Sequence, residues 1–333
     1  MTTPDTILLT HRTTAREMWF GDAAVAALRA SGPVRTNPAD TPYDGPGLVE
    51  AARGCPVVVL DRETALPREV LAELPDLVAV ARSGVDCSRV DVEAASAAGV
   101  LVVPAEPGYV ESTAELVLAL LLSAARGIPR YARAYAVGAP AAPELGSELA
   151  SSTVGVVGHG RVGRRVARLL DAFGADVLVT DPFLSEVDGR SVVPLEDLAS
   201  RSDFVVLLTA ATEQTRHLVC EPVLRAMRPD AWLVNCSRGQ VVDEDALHRA
   251  LERGGIAGVA MDVGSGHDEM PHPRFQGRDD VIATPHIGNL TGAGLGRQPM
   301  NTAHHVAELL AGRIPATTLD PSADARLRAR HPR

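Results

Sequence analysis

The sequence predicts an α/β protein with two parallel-sheet domains. Short β-branched runs alternate with helical stretches along most of its 333 residues, the pattern of strands joined by crossover helices. Residues 153–182 compress a strand, a glycine turn, a helix and a second strand into one stretch. A hydrophobic content of 46% in a chain of this length is enough for two cores. Aromatics supply only 3%, so those cores are expected to be built from small aliphatics.

In chain order, residues 7–10 suit a first strand, and the alanine-rich residues 15–30 a helix. Residues 33–47 hold several prolines and other turn formers and are expected to form a connection or surface loop. Strands are expected at 56–60, 78–81 and 100–103, with helices at 67–74 and 92–98. The turn Arg82-Ser83-Gly84-Val85-Asp86 follows a strand, at the sheet end where α/β proteins place ligands. Ser83 and Gly84 there either present free amides to a carboxylate or form a simple glycine turn. Residues 111–125 make a helix whose middle is apolar nearly all round, suited to linking domains or packing across a dimer. Residues 138–152 read as a loop. Beyond the glycine turn, helices are expected at 195–200, 222–227 and 243–252. Strands are expected at 204–208, 232–235, 256–261 and 281–283. Helical composition resumes at Gly292, and the arginine-rich tail after Asp320 is expected to be loose.

The stretch 153–182 carries the most information. Thr153 to Val157 is a buried-strand run, and Gly158, Gly160 and Gly163 follow as G-x-G-x-x-G. Gly158 permits a tight turn, Gly160 lets a pyrophosphate approach the backbone, and Gly163 lets the helix pack closely on the strand. The helix N-terminus offers unpaired N–H groups and partial positive charge. Val162, Val166, Leu169 and Leu170 recur at helical spacing. Asp181 ends the second strand, where a carboxylate binds ribose hydroxyls and repels a 2′-phosphate, favouring NAD over NADP. Thr209 begins a loop after a later strand, where the wall of the dinucleotide site is expected.

Other function classes fit poorly. Four arginines between 161 and 168 invite a nucleic-acid reading, but a net charge of −10 opposes a polyanion partner. The longest apolar run, residues 116–122, is too short to span a bilayer. The first residues lack the basic and apolar segments of a signal peptide. The four cysteines have neither C-x-x-C nor metal-ligand spacing, so no metal site is expected and reduced thiols in a cytoplasmic protein are.

Arg238, Asp262 and His286 each follow a short hydrophobic strand. If those strands share the sheet of the glycine turn, the three side chains open on the crevice where a nicotinamide lies. Hydride chemistry on a 2-oxo acid needs such a set. An arginine holds the carboxylate and polarises the carbonyl. A histidine donates the proton, and a carboxylate beside it orients the imidazole.

At this point the chain resembles the D-isomer-specific 2-hydroxyacid dehydrogenases. The resemblance covers roughly residues 55–312. It rests on Arg82-Ser83-Gly84-Val85-Asp86, Ser112-Thr113-Ala114-Glu115, the glycine motif, Asp181-Pro182, Asn235-Cys236-Ser237-Arg238-Gly239, Val242-Asp243-Glu244-Asp245-Ala246-Leu247 and Thr284-Pro285-His286-Ile287-Gly288. It implies two Rossmann-like or flavodoxin-like domains, with a cofactor domain (105–290) inserted in a discontinuous substrate domain (1–104 and 291–333). It further implies Arg238 as the catalytic arginine, His286 as the acid/base, and carboxylate-binding amides at Ser83, Gly84 and Val85. NAD would be held by Thr113, Gly158, Gly160, Arg161, Val162, Gly163, Asp181, Thr209, Cys236, Arg238, Asp262, His286 and Gly288. Asp262 would meet the carboxamide, and the cofactor domain would mediate a homodimer.

Two departures stand out. The family places its catalytic Glu five positions beyond the Asp and directly before a proline. That position here is His267, and Glu269 lies two further on, before Met270-Pro271. Glu269 is preferred over His267 as the partner of His286. Residues 139–149 replace a tryptophan-bearing segment. The leading function is NAD-dependent hydride transfer at C2 of a small anionic 2-oxo or 2-hydroxy acid. An unusual small anion of the phosphite or phosphonate type on the same scaffold is the alternative, and a non-catalytic NAD(H) sensor is the alternative of another class.

Overall fold

Three β-branched or aliphatic residues, Ile7–Leu9, open the chain as β1, with every side chain buried. The computed structural model describes residues 5–187 and 190–332. The chain divides into two compact units, Met1–Tyr109 with Thr291–Arg333, and Val110–Leu290.

In the first unit, a short turn of helix, α1 (Thr13–Ala15), runs into a π-helical segment, Arg16–Phe20, and then α2 (Asp22–Ser31). The continuous helix expected over 15–30 is therefore broken, and the break falls at Gly21, whose φ of 77° interrupts the ladder. The prolines of 33–47 do not keep that stretch irregular either. Val34–Thr36 forms the edge strand β2 beside β1, and α3 (Gly45–Ala52) starts with Pro46 in its first turn and Asp44 as its N-cap. Proline is acceptable there because the first-turn N–H groups have no helical partner. Then follow β3 (Val57–Leu60), α4 (Arg68–Ala72), β4 (Ala79–Arg82), α5 (Val92–Ala97) and β5 (Leu101–Pro104). The five strands are parallel in the order β2-β1-β3-β4-β5. Residues 105–109 stay with this unit. The Ala105 amide donates to Gly84 O at 3.1 Å, and the Glu106 amide to Asn301 Oδ1 at 2.7 Å.

The second unit begins with α6 (Val110–Arg126) and α7 (Ile128–Ala136), a helix that sequence periodicity did not single out. The glycine-turn region follows as β6 (Thr153–Val157), α8 (Arg161–Phe173) and β7 (Asp176–Thr180). Two short strands paired antiparallel, β8 (Glu186–Val187) and β9 (Arg190–Ser191), precede α9 (Leu195–Arg201) and β10 (Phe204–Leu207). The unit closes with α10 (Glu221–Ala226), β11 (Trp232–Asn235), α11 (Glu244–Glu252), β12 (Gly258–Met261) and β13 (Val281–Ala283). Its main sheet is parallel in the order β13-β12-β11-β10-β6-β7. Strands buried on both faces read as continuous hydrophobic runs, and β10, Phe-Val-Val-Leu, is buried at every residue. One core packs α9, α10 and α11 on one face, and a second packs α6 and α8 on the other.

The chain then returns to the first unit as α12 (Gly292–Leu310) and α13 (Ala325–Arg330). The tail expected to be loose is docked instead. Leu327 and Ala323 join the core beside α12, and Arg326 Nη1 donates to Leu74 O and Leu77 O, each at 2.8 Å. Burial of one leucine with two charge-assisted bonds outweighs the local disorder that arginine-rich composition suggests.

Candidate active site

In the second unit the chain leaves β6, builds β7 on one side, and later places β10 on the other. Such a switch point leaves a crevice at the carboxyl ends of the strands, where nucleotides bind. The glycine turn lies at this edge. Gly158 holds φ at 93°, and a Cβ there would meet Thr209 N at 2.7 Å. At Gly163 a Cβ would stand 2.1 Å from Gly158 O. Both positions therefore exclude any side chain. Around Gly160, by contrast, nothing lies within 4 Å of a Cβ position, so the turn is open on that side. Arg161 and Val162 start α8, whose N-terminus faces the turn.

Asp181 sits just past β7. Its Oδ2 accepts the His159 amide at 2.8 Å, and its Oδ1 the Phe183 amide at 3.0 Å. The carboxylate thus ties the glycine turn to the end of β7 while keeping lone pairs for a ribose. Thr209 O accepts a short hydrogen bond from Ser237 Oγ, which links the loops after β10 and β11. Cys236 lies beside Ser237. Burial, reinforced by the negative charge of Asp262, pushes its thiol well up and keeps it neutral.

Asp262 is buried at the end of β12 and organises the loop that carries His286. Its Oδ1 accepts from Thr284 Oγ1 at 2.6 Å and the Ile287 amide at 2.8 Å, and its Oδ2 accepts the Gly288 amide at 2.8 Å. The His286 amide donates to Asp262 O at 2.9 Å. Thr113 Oγ1, from α6, donates to Gly288 O at 3.3 Å. His286 itself is held in the left-handed region, φ 55°. A non-glycine residue there signals a conformation imposed by its surroundings.

Three of the reacting candidates meet. Glu269 Oε2 lies 3.4 Å from Arg238 Nε and 3.9 Å from His286 Nδ1. Arg238 Nη1 also donates to Ser237 O at 2.8 Å, which fixes its fork. His286 Nδ1 is 3.1 Å from Asp268 O. A carbonyl only accepts, so this contact puts the ring proton on Nδ1 and leaves Nε2 as the nitrogen that exchanges a proton with a ligand. His267 pairs instead with Asp268 Oδ2 at 3.1 Å and is 85% exposed in its side chain.

The turn after β4 belongs to the first unit. The Ser83 amide does not face outward as expected; it donates to Leu60 O at 3.1 Å, because the turn continues the β3–β4 ladder by one residue. Among the described residues the Gly84 and Val85 amides donate to no protein group. Buried Arg82 braces this turn, giving Nη1 to Leu60 O at 2.9 Å and Nε to Asp86 O at 2.8 Å. Neither that bracing nor the part of Asp268 O could be seen from motif spacing. Among the described residues no three His, Cys, Asp or Glu side chains converge as metal ligands would.

The fold and the site define a nucleotide-binding α/β protein with an Arg–Glu–His group at the strand ends. The family model described as "D-isomer specific 2-hydroxyacid dehydrogenase, NAD binding domain" matches residues 118–288. A glyoxylate reductase of Korarchaeum cryptofilum is 34% identical over 278 residues, 80% of this chain and 83% of that protein. A D-3-phosphoglycerate dehydrogenase of Mycobacterium tuberculosis is 36% identical over 277 residues, 81% of this chain and 52% of that protein. The chain spans about half the length of the curated phosphoglycerate dehydrogenases it matches. The fold is that of a D-2-hydroxyisocaproate dehydrogenase structure, with a TM-score of 0.80, 23% identity, and coverage of 95% of this chain and 99% of that one. The chain belongs to the D-isomer-specific 2-hydroxyacid dehydrogenases, a family of NAD-dependent oxidoreductases, and its second unit is their NAD-binding domain.

Proposed function

We propose that the protein moves a hydride between nicotinamide C4 and C2 of a small 2-oxo or 2-hydroxy acid, with D stereochemistry. The observation that supports this most is the meeting of Arg238, Glu269 and His286 at the ends of β11, β12 and β13. NAD supplies or accepts the hydride. The Arg238 guanidinium binds the substrate carboxylate and polarises the carbonyl. In reduction, His286 Nε2 gives a proton to the carbonyl oxygen as the hydride arrives at C2; in oxidation it takes that proton back. Glu269 stabilises the charged imidazole and aligns it. Gly84 and Val85 amides are assigned to the substrate carboxylate. Asp262, its own acceptors largely committed to the 284–288 loop, sets the position of His286 and can spare one lone pair for a carboxamide.

The test is NADH oxidation against a panel of glyoxylate, hydroxypyruvate, pyruvate and phosphohydroxypyruvate, with NAD and phosphite as a further arm. Turnover on a 2-oxo acid is expected, and Arg238→Ala or His286→Ala should lower kcat/KM by roughly a hundredfold or more. NADH binding without turnover on every acid would instead favour a sensor, and turnover on phosphite alone the small-anion alternative.

We also place the protein in the cytoplasm, on its four unbridged cysteines. A homodimer is supported by exposed apolar side chains on and after α7, Ile128, Tyr135, Val137 and Leu145. Sedimentation at a single-chain mass would reject the dimer.

A further inference from the structure

This inference rests on the reading of Arg238, Glu269 and His286 as the reacting groups. Glu269 has φ 60° and follows Asp268 with φ 52°. Two successive non-glycine residues in the left-handed region stay there only when neighbouring structure holds them. Two backbone bonds do so directly. The Gly264 amide donates to Glu269 O and the Gly266 amide to Met270 O, each at 2.8 Å. The burden then passes to residues 264–266, and these are gripped from α11. Glu244 Oε1 accepts the Ser265 amide at 2.8 Å, and Glu244 Oε2 accepts Ser265 Oγ at 2.5 Å. On the other side, a Cβ at Gly239 would stand 2.3 Å from Gly264 O, so the turn bearing Arg238 is pressed directly against the same segment.

We propose that Glu244 is a positioning residue: by clasping Ser265 with both carboxylate oxygens it sets where Glu269 stands between Arg238 and His286. Its place as the first residue of α11, where the helix dipole favours negative charge, suits it to hold two donors. Glu244, Ser265, Arg238 and Glu269 line one cavity of about 710 Å³. Glu244 spends its oxygens on Ser265, and its effect reaches the chemistry through Glu269.

The experiment compares full-length Glu244→Ala, Ser265→Ala, Glu269→Gln and the double variant Glu244→Ala/Glu269→Gln, with NADH and glyoxylate. Glu244→Ala should lower kcat roughly tenfold or more, leave NADH affinity unchanged, and raise the solvent deuterium isotope effect on kcat as Glu269→Gln does. The double variant should be no worse than Glu269→Gln alone. Glu244→Gln, which keeps one acceptor, should recover part of the rate. If Glu244→Ala does not fold, Ser265→Ala reads the same clasp by removing only its hydroxyl arm. Additive losses, or an unimpaired Glu244→Ala beside an impaired Glu269→Gln, would overturn this inference alone. Glu269→Gln at the wild-type rate would overturn the site reading and this inference with it.

Discussion

Asp262 illustrates how one buried carboxylate can serve a site by shaping backbone. Two amides and a hydroxyl donate to it. Asparagine in its place would turn an NH2 group toward one of those donors. A buried donor facing a donor costs about 1–3 kcal/mol. Asp262→Asn should therefore lose that much stability in urea denaturation, and with it most activity, because His286 hangs on the loop. An unchanged midpoint would remove the carboxylate from this role.

His11 gives the clearest pH-dependent effect. Burial pushes its pKa down from 6.5 to about 4; the nearby charge of Asp61 opposes this and that of Arg82 adds to it. The folded state thus binds the proton less well than the unfolded chain. Stability from this group is complete above about pH 6.5 and is lost as pH falls toward 4, on the order of 3 kcal/mol over that window. Asp61 acts lower still. Burial raises its pKa, but donors from the Thr64 amide, Thr10 Oγ1 and the Glu63 amide outweigh this and hold it below the usual range. Its contribution is present above the ordinary carboxylate range and disappears as pH falls through the lowered value. His11→Leu should flatten the stability curve between pH 6.5 and 4 and leave the more acid limb; a wild-type slope in that window would contradict the assignment.

Among elements, the strand–turn–helix of 153–180 was legible because its constraints are local. Gly163 shows the tightness involved. Alanine there would put a methyl 2.1 Å from Gly158 O, and the helix cannot retreat without pulling its own Val166 and Leu170 out of the core they share with Val154, Val156 and Val179. Overpacking of this kind costs typically about 1–3 kcal/mol. Gly163→Ala should lose it in thermal unfolding and bind NADH weakly; normal affinity would mean that the turn yields more easily than its packing implies. Elements decided by distant partners were not legible. Residues 34–36 pair as a strand with β1 beside them, and residues 325–330 are held as an ordered helix by Leu327 in the core and by the Leu74 and Leu77 carbonyls that accept from Arg326. The same division runs through the site. Arg238, Asp262 and His286 announce themselves at strand ends, whereas the delivery of Glu269 depends on a left-handed pair that no motif records, and on Glu244, which stands in a quoted motif whose spacing says nothing of its grip on Ser265.

At the scale of the whole molecule, the two units differ in how their chain is arranged. The second is continuous from Val110 to Leu290 and contains both of its cores. Expressed alone, it should fold cooperatively and bind NADH, as urea unfolding and nucleotide fluorescence would report; failure to fold would mean that its boundaries are drawn too tightly. Residues 1–109 alone should not fold, because Ala303, Val306, Leu309 and Leu327 complete one face of their sheet. The ends of that discontinuous unit are joined by an ion pair between Asp5 and Arg330. A short linker bridging them would allow circular permutation, with new ends cut between Leu290 and Thr291. The rearranged gene would encode the two units one after the other, each as an uninterrupted reading of the chain, without altering a single packed residue.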